Sequence, residues 1–215
     1  ALREAADLDG AFAAYEAHRR PAVAHLQETA RRSEVWWESF PERMHLPVAQ
    51  LMLAYMTRAG KVDVGQFVTA APAVARRGLA AYAGLSDTAV PARDVAEWIL
   101  AQPLTHDGRT HPRRIADGDL RDAPTTAIVE VDIESAWGPS ADAVVAAAPA
   151  TTTLWLTGSP GRTALLLRLD LAERLCRTTR SLVVVEGSRH DLSDLAAGLA
   201  SARTHLVAVT HEVPA

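Results

Sequence analysis

Hydrophobic residues between positions 8 and 83 recur mostly at three- and four-residue spacings, which is the pattern of amphipathic helices. Pro21 interrupts this pattern, because proline lacks the amide hydrogen that a helix interior needs. We therefore predict one helix over residues 8–19 and a second over 21–40, with Pro21 in its first turn.

Two glycines follow further helical segments in this half. Gly60 closes the segment PVAQLMLAYMTRAG, and Gly84 closes APAVARRGLAAYAG. Glycine readily adopts the left-handed conformation of a helix C-cap, so both are predicted to end helices. Residues 85–125 are rich in Pro, Gly, Asp and Arg, with one predicted helix near 92–101, and we interpret them as a boundary between folding units.

After residue 124 the pattern changes to short β-branched runs with helix-like segments between them. The runs are apolar enough to be buried on both faces, and their alternation with helices predicts a parallel sheet with right-handed crossovers. Four strands are compatible with an open sheet or with half of a barrel. The predicted strands are TAIVEVDI, TTTLWLTG, SLVVVEG and THLVAVT.

These patterns predict an α+β fold in two parts. A helical unit occupies residues 1–100, a linker follows over 101–123, and residues 124–215 form a four-stranded parallel βαβαβαβ layer. Because the chain opens on a helical pattern without a methionine, we expect it to be a piece of a longer polypeptide.

Composition narrows the functional classes. The chain has 215 residues, of which 48% are hydrophobic and 22% charged, as in ordinary globular proteins. A formal charge of −4 offers no basic excess for nucleic acid. No apolar run approaches the ~20 residues of a membrane helix. Cys176 is the single cysteine, which excludes an internal disulfide and favours a cytoplasmic setting.

The turn after the second predicted strand is a candidate phosphate site. It contains Gly158, Ser159, Gly161 and Arg162, and it leads directly into a helix. Free amides at a helix N-terminus attract anions, and Arg162 adds charge. The turn matches no established phosphate-binding motif, and we favour the alternative of a structural turn in which Ser159 or Thr163 caps the helix.

The next strand ends in a similar turn at Gly187 and Arg189. Ligands of parallel sheets bind at the carboxyl ends of the strands, so Arg162 and Arg189 could together clamp a phosphate of CoA or of a flavin. In the alternative that we favour, Ser188 or Asp191 caps the following helix and both arginines are solvated.

The sequence identifies no catalytic residue and no metal site. Ser159 lacks the spacing of a nucleophile elbow, and Cys176 lies within a leucine-rich helix where an inert thiol is expected. His106 and His111 have a spacing that no helical face would use for a metal.

The first half resembles a known enzyme family through the stretch AYEAHRRPAVAHLQETARRSEVWWESF and the later AQLMLAYMTRAGKV. Both are similar to the C-terminal region of FAD-dependent monooxygenases of the salicylyl-CoA and anthraniloyl-CoA hydroxylase type. The resemblance covers residues 8–84. Its matching positions are Tyr15, Glu16, Arg19, Arg20, Pro21, Gln27, Ala30, Ser33, Trp37, Glu38 and the segment 56–60.

The resemblance implies a function. In this family reduced FAD activates O₂ and an aromatic ring is hydroxylated, and our chain would shape the substrate side, pack on the FAD-binding portion of the same enzyme or form a homo-oligomer. The resemblance is densest around Trp37, Tyr55 and Arg58, which it implies as residues that bind an aromatic thioester. The chain has no Gly-x-Gly-x-x-Gly turn, so FAD would be held mainly by another region.

Bifunctional members of the family carry an Old Yellow Enzyme-like barrel after the monooxygenase, and residues 181–212 resemble its last strands in a degenerate form. Gly187 is retained, whereas SARTHL and VTHE stand where the family has its phosphate contacts, so FMN is not expected. Two alternatives remain, namely a non-catalytic assembly module and a small α/β domain that binds a phosphorylated ligand.

Overall fold

The structure is a computed structural model that describes residues 7–58, 60, 62–149 and 151–210. It divides into two compact units, Ala1–Arg43 and Met44–Ala215. We describe each unit by itself. The predicted boundaries at residues 100 and 124 stay a prediction.

The first unit is dominated by one long helix, α1 (Leu8–Glu38). Asp7 caps its start by accepting a hydrogen bond from the amide of Gly10 at 2.6 Å, and a short 3₁₀ turn, Phe40–Arg43, follows its end. The predicted break at Pro21 is wrong, because α1 continues through this residue. Proline removes one backbone hydrogen bond, and the alanine-rich flanks together with the Glu16–Arg20 ion pair support the helix across that gap.

The second unit begins with four short helices: α2 (Val48–Thr57), α3 (Val64–Ala70), α4 (Pro72–Ala83) and α5 (Val95–Leu100). Gly84 ends α4 in the left-handed conformation with φ 66°, which confirms the predicted cap. The cap at Gly60 is wrong, because α2 ends at Thr57. Helix α3 was not predicted, although Asp63 and Gln66 form a capping box at its start.

Close approach of α2 and α4 depends on one glycine. A Cβ atom on Gly78 in α4 would lie 2.6 Å from the carbonyl oxygen of Ala49 in α2. Only the absence of a side chain therefore allows the two backbones to pack at this distance.

The parallel sheet is confirmed and contains four strands: β3 (Thr126–Val131), β4 (Thr153–Gly158), β5 (Leu182–Ser188) and β6 (Leu206–Thr210). All neighbours are parallel and the spatial order is β3-β4-β5-β6. The connecting helices are α7 (Pro139–Ala147), α8 (Arg162–Thr178) and α9 (Leu192–Ala200). Both an open sheet and a half-barrel have this order, so that alternative stays open.

The two faces of the sheet are covered differently. Leu154, Leu156, Val183 and Val185 point to one face and pack into the main core with the leucines of α8 and α9. Their alternating neighbours on the other face belong to a smaller cluster, comprising Trp155, Leu182, Val184, Leu206, Ala208 and Ala116. The alternation follows from the two-residue period of a strand.

Residues 101–123, predicted as a linker, are structured and cover this second face. They form an antiparallel hairpin of β1 (Leu104–His106) and β2 (Arg109–His111), followed by α6 (Gly118–Arg121). Ile115 between them pairs in parallel with Val207 of β6. This segment therefore extends the sheet beyond its last strand.

A buried ion-pair cluster joins α8 to the start of β6. Arg203, with a side chain 5% exposed, donates to the carboxylate of Asp170, which is 3% exposed. The guanidinium also lies 3.9 Å from Glu173. Charges that are buried to this degree depend on their partners, because water no longer solvates them.

Among the described residues, no helix is both long enough and apolar enough to cross a membrane.

Candidate functional site

The first predicted phosphate turn connects β4 to α8 through two glycines that no other residue would replace easily. Gly161 precedes α8 and has φ 100°. Gly158 has φ 149°, and a Cβ atom on it would lie 2.7 Å from the carbonyl oxygen of Val131. No side chain caps α8. The predicted cap by Ser159 or Thr163 is therefore wrong, because Gly161 occupies the cap position and has no side chain to accept a hydrogen bond.

Arg162 of this turn is held by a carboxylate. Its guanidinium donates to both carboxylate oxygens of Asp194 in α9, at 2.6 and 3.0 Å, and to the carbonyl oxygen of Gly60. The bond to Asp194 raises the pKa of Arg162. The Asp194 carboxylate beside the turn occupies the guanidinium that a phosphate there would use. Phosphate binding at Gly158, Ser159, Gly161 and Arg162 stays a prediction.

A second arginine, which sequence analysis missed, lies beneath this turn. Arg168 of α8 is 4% exposed and donates to the carbonyl oxygens of Ser159, at 2.8 Å, and of Glu186, at 3.1 Å. It ties the turn to β5 through the backbone. Its position within the run LLLRLDL was the available signal, because a charge in a leucine run needs buried partners.

The second predicted turn is organised by its own side chains. Ser188 and Asp191 form a capping box over the 3₁₀ turn Arg189–Asp191, and α9 begins at the next residue. Gly187 packs against leucine side chains of α8 and α9. Arg189 is exposed and makes no hydrogen bond or ion pair within the part of the chain that the structure describes. The clamp by Arg162 and Arg189 stays a prediction.

Of the three residues implied for substrate binding, Trp37 lies in the first unit, and Tyr55 and Arg58 lie in the second. Trp37 in α1 is 54% exposed and lies 5.1 Å from the ring centre of Trp36. Tyr55 and Arg58 lie together in the second unit, where the guanidinium stacks 3.9 Å above the tyrosine ring and donates to the Tyr55 carbonyl oxygen. Their role in binding an aromatic thioester stays a prediction.

A cavity of about 840 Å³ lies at the opposite edge of the sheet, where β4 and β5 begin. We call it the hairpin pocket, because β1, β2 and their connecting turn form one wall. The other walls come from Leu120, residues 124–125, 148–149, 151–153 and 178–182. Sequence analysis did not identify this pocket, since its lining is brought together from four separate segments.

The hairpin pocket is lined by hydroxyl groups and by four nitrogen-bearing side chains. The nitrogen-bearing ones are His106, Arg109, His111 and Arg180, against the single carboxylate of Asp107. His106 and Arg109 are paired across the hairpin, and the His106 Nε2 atom lies 3.1 Å from the carbonyl oxygen of Arg180, to which it donates. The pocket therefore gathers positive charge from two distant parts of the chain.

Behind the pocket, the ring of His106 contacts the tilted ring of a half-buried histidine. The two imidazole centres, His106 and His205, are 4.5 Å apart, and the Nδ1 atom of His205 accepts the amide hydrogen of Val183 at 3.0 Å. Burial, then the nearby His106 and Arg114, lower the pKa of His205 to about 4. Cys176 lies 3.6 Å from the same nitrogen, and burial raises the pKa of its thiol to about 12.

This environment predicts a loss of stability in acid. His205 titrates near 4 when folded and near 6.5 when unfolded, so its neutral form supports the fold fully above pH 6.5 and less as the pH falls toward 4. We expect the free energy of unfolding to fall by about 2 kcal/mol between pH 7 and 4.5 from this group alone. Urea unfolding at both pH values measures the loss.

The variant His205→Asn keeps an acceptor and removes the titration. Its loss between the two pH values should be smaller than that of the unmodified protein by the same amount. An equal loss in both proteins would show that His205 does not control the acid sensitivity.

Within the described ranges, no group of three or more His, Cys, Asp or Glu side chains is arranged to hold a metal ion. The comparisons with known proteins add no family: the chain matches no protein-family model, no curated protein and no solved structure.

Proposed function

We propose that this chain is the C-terminal part of an FAD-dependent aromatic monooxygenase that acts on a carrier-bound aromatic acid, and that α1 assembles the enzyme into a homodimer. The reaction class follows from the resemblance over residues 8–84. The assembly role is carried by one observation, the exposed apolar side of α1. FAD would be bound mainly by another portion of the enzyme, and the enzyme would work in the cytoplasm.

Large apolar side chains lie exposed along one side of α1. Phe12 is 60% exposed and Leu26 is 65% exposed, and the others are similar. Their spacings combine steps of three and four residues, so they share one side of the helix. We name this set the α1 stripe: Leu8, Phe12, Tyr15, Val23, Leu26 and Trp37. Several large apolar side chains exposed on one side of a helix favour an interaction site there.

The stripe is self-complementary about its midpoint. A two-fold axis between Ala22 and Val23 would place two α1 helices antiparallel and bring large side chains against small ones. Phe12 would face Ser33 of the second copy, and Tyr15 would face Ala30. Self-contact of this kind is what a symmetric dimer interface requires, because each contact occurs twice.

The ends and the centre of the stripe obey the same symmetry. Leu8 would face Trp37 of the second copy, so two apolar residues meet at each end. Arg19 would face Leu26, and its aliphatic stem can cover the leucine while the guanidinium reaches water. The pattern therefore favours a second copy of this chain as the partner of α1.

Negative charge introduced on the stripe tests the assembly. We expect the unmodified chain to be dimeric by light scattering, and Leu8→Glu/Val23→Glu to be monomeric, because the added carboxylates would face Trp37 and Ala22 of the second copy. The matched control is Ala13→Glu/Ala24→Glu, which adds the same charge at exposed positions off the stripe and should leave the dimer intact. A monomeric unmodified chain contradicts the assembly role.

Cross-linking distinguishes the antiparallel arrangement from a parallel one. In a Cys176→Ala background, Ala22→Cys should cross-link to its own copy, since it lies beside the two-fold axis. Leu8→Cys should not, because the two copies of this residue would be about 40 Å apart at 1.5 Å per helical residue. Efficient cross-linking at Leu8→Cys would overturn the arrangement.

The catalytic part of the proposal needs a separate measurement. The purified chain should show no flavin absorbance, whereas co-expression with the FAD-binding portion of such a monooxygenase should give a flavoprotein that hydroxylates an aromatic acyl-CoA thioester. A dimer that never supports hydroxylation would favour the alternative of an assembly module without catalysis. Hydroxylation by this chain alone would contradict the assignment of FAD to another portion.

A further inference from the structure

We propose that the hairpin pocket binds a phosphorylated ligand of nucleotide size, with its phosphate groups at Arg109 and Arg180. This inference is independent of the proposed monooxygenase, because none of the residues 8–84 that carry the monooxygenase resemblance lines the pocket.

The two arginines are available for a ligand. Both are exposed at the pocket, and neither guanidinium makes an ion pair or hydrogen bond with any residue that the structure describes. This distinguishes them from Arg162, which is occupied by Asp194. Arginine presents a planar set of donors that matches phosphate oxygens in pairs.

The backbone positions of the two arginines are linked through His106. Arg109 is the cross-strand partner of His106, and His106 donates to the backbone of Arg180. The connecting turn, Asp107-Gly108, has φ 47° and 75°, the paired positive values of a tight hairpin turn. A two-residue turn of this kind fixes the register, so Arg109 is set by the backbone at the mouth of the pocket.

The positive charge of the pocket comes from the two arginines. The pKa of His111 is lowered by burial and then by the nearby His106 and Arg109, so its neutral form is favoured. Asp117 acts on His111 in the opposite direction, and Asp107 is the one carboxylate among the pocket's lining residues. A ligand with two or more negative charges would be attracted to Arg109 and Arg180, which outnumber this carboxylate.

The size and the remaining lining favour a ligand larger than a free phosphate. A volume of about 840 Å³ lies in the range of small-molecule sites, which is roughly 300–1,000 Å³. Leu120, Pro124, Pro149 and Leu182 provide apolar surface for an uncharged body. The exposed hydroxyl groups of Thr125 and Thr152 make no hydrogen bond with other described residues and can bind the polar edges of such a body.

Calorimetric titration at low ionic strength tests the proposal with three probes: ADP, adenosine and inorganic phosphate. We expect ADP to bind more tightly than either of the others, because only ADP offers both the phosphates and the body. In Arg109→Gln/Arg180→Gln we expect the affinity for ADP to fall at least tenfold. The matched control Arg76→Gln removes an exposed arginine of α4 outside the pocket and should leave the affinity unchanged.

Three results would overturn the proposal. The first is that ADP does not bind at millimolar concentration. The second is that the double variant and the unmodified protein bind ADP with equal affinity. The third is that ADP and inorganic phosphate bind with equal affinity, which would show that the pocket does not recognise a ligand of nucleotide size. Thermal unfolding of each variant without ligand establishes that it is folded. Arg109 and Arg180 are exposed, so both substitutions should leave the melting temperature close to that of the unmodified protein.

Discussion

The variant Arg203→Met is expected to lower the free energy of unfolding by about 4 kcal/mol. Arg203 is almost completely buried and is paired with Asp170, with Glu173 close by. Methionine fills a similar volume but leaves the carboxylate of Asp170, a residue that is 2% exposed as a whole, without its cation. Urea unfolding at pH 7 measures the change.

An exposed pair provides the control for this prediction. Arg77 and Asp87 lie 3.6 Å apart with both side chains more than half exposed, so Arg77→Met should cost less than about 1 kcal/mol. The double variant Arg203→Met/Asp170→Asn should be more stable than the sum of its single effects predicts, since it removes the uncompensated charge. A loss from Arg203→Met as small as that from Arg77→Met would show that the buried pair is not needed.

The variant Gly78→Val is expected to destabilise the second unit by about 3 kcal/mol. Its Cβ would overlap the carbonyl oxygen of Ala49, and backbone atoms cannot move aside as a flexible side chain can. Helices α2 and α4 would have to separate along their contact, which also buries Leu53 and Leu79. The midpoint of chemical unfolding gives the size of the effect.

Gly118→Val is the matched substitution, because no atom lies within 4 Å of the Cβ that it adds. It should change the stability by less than about 1 kcal/mol. If Gly78→Val were as mild as Gly118→Val, the tight contact of α2 with α4 would not exist in solution.

The sequence predicted the sheet well because burial leaves a strong local signal. Runs such as SLVVVEG are apolar and β-branched, and each became a parallel strand with a helix after or before it. Gly84 was predicted for an equally local reason, since one residue with φ 66° ends α4. Features set by one turn or one strand can therefore be identified from the residues themselves.

Other features were missed although short signals existed. Asp107-Gly108 is a typical hairpin turn, but the strands beside it, LTH and RTH, are polar and only three residues long. Asp63 and Gln66 mark the start of α3 in the same way. The hairpin strands have few apolar positions and α3 is only seven residues long, so periodicity identified neither.

The hairpin pocket and the partners of Arg162 depend on tertiary structure. Arg162 meets Asp194 across more than thirty residues, and Arg180 meets the hairpin across more than seventy. Spacing along the chain contains no information on such encounters. A candidate site that is assembled in this way can be found only after the elements have been placed.

The pairing of Ile115 with Val207 has a consequence for synthesis on the ribosome. Residues 114–116 leave the exit tunnel before any strand of the parallel sheet, yet their partner is the last strand to emerge. Until β6 has been synthesised, the hairpin segment and the apolar side of β5 lack the strand against which they pack. Contacts between such distant positions form slowly, so we expect this stage to be the one at which chaperones and proteases meet the protein.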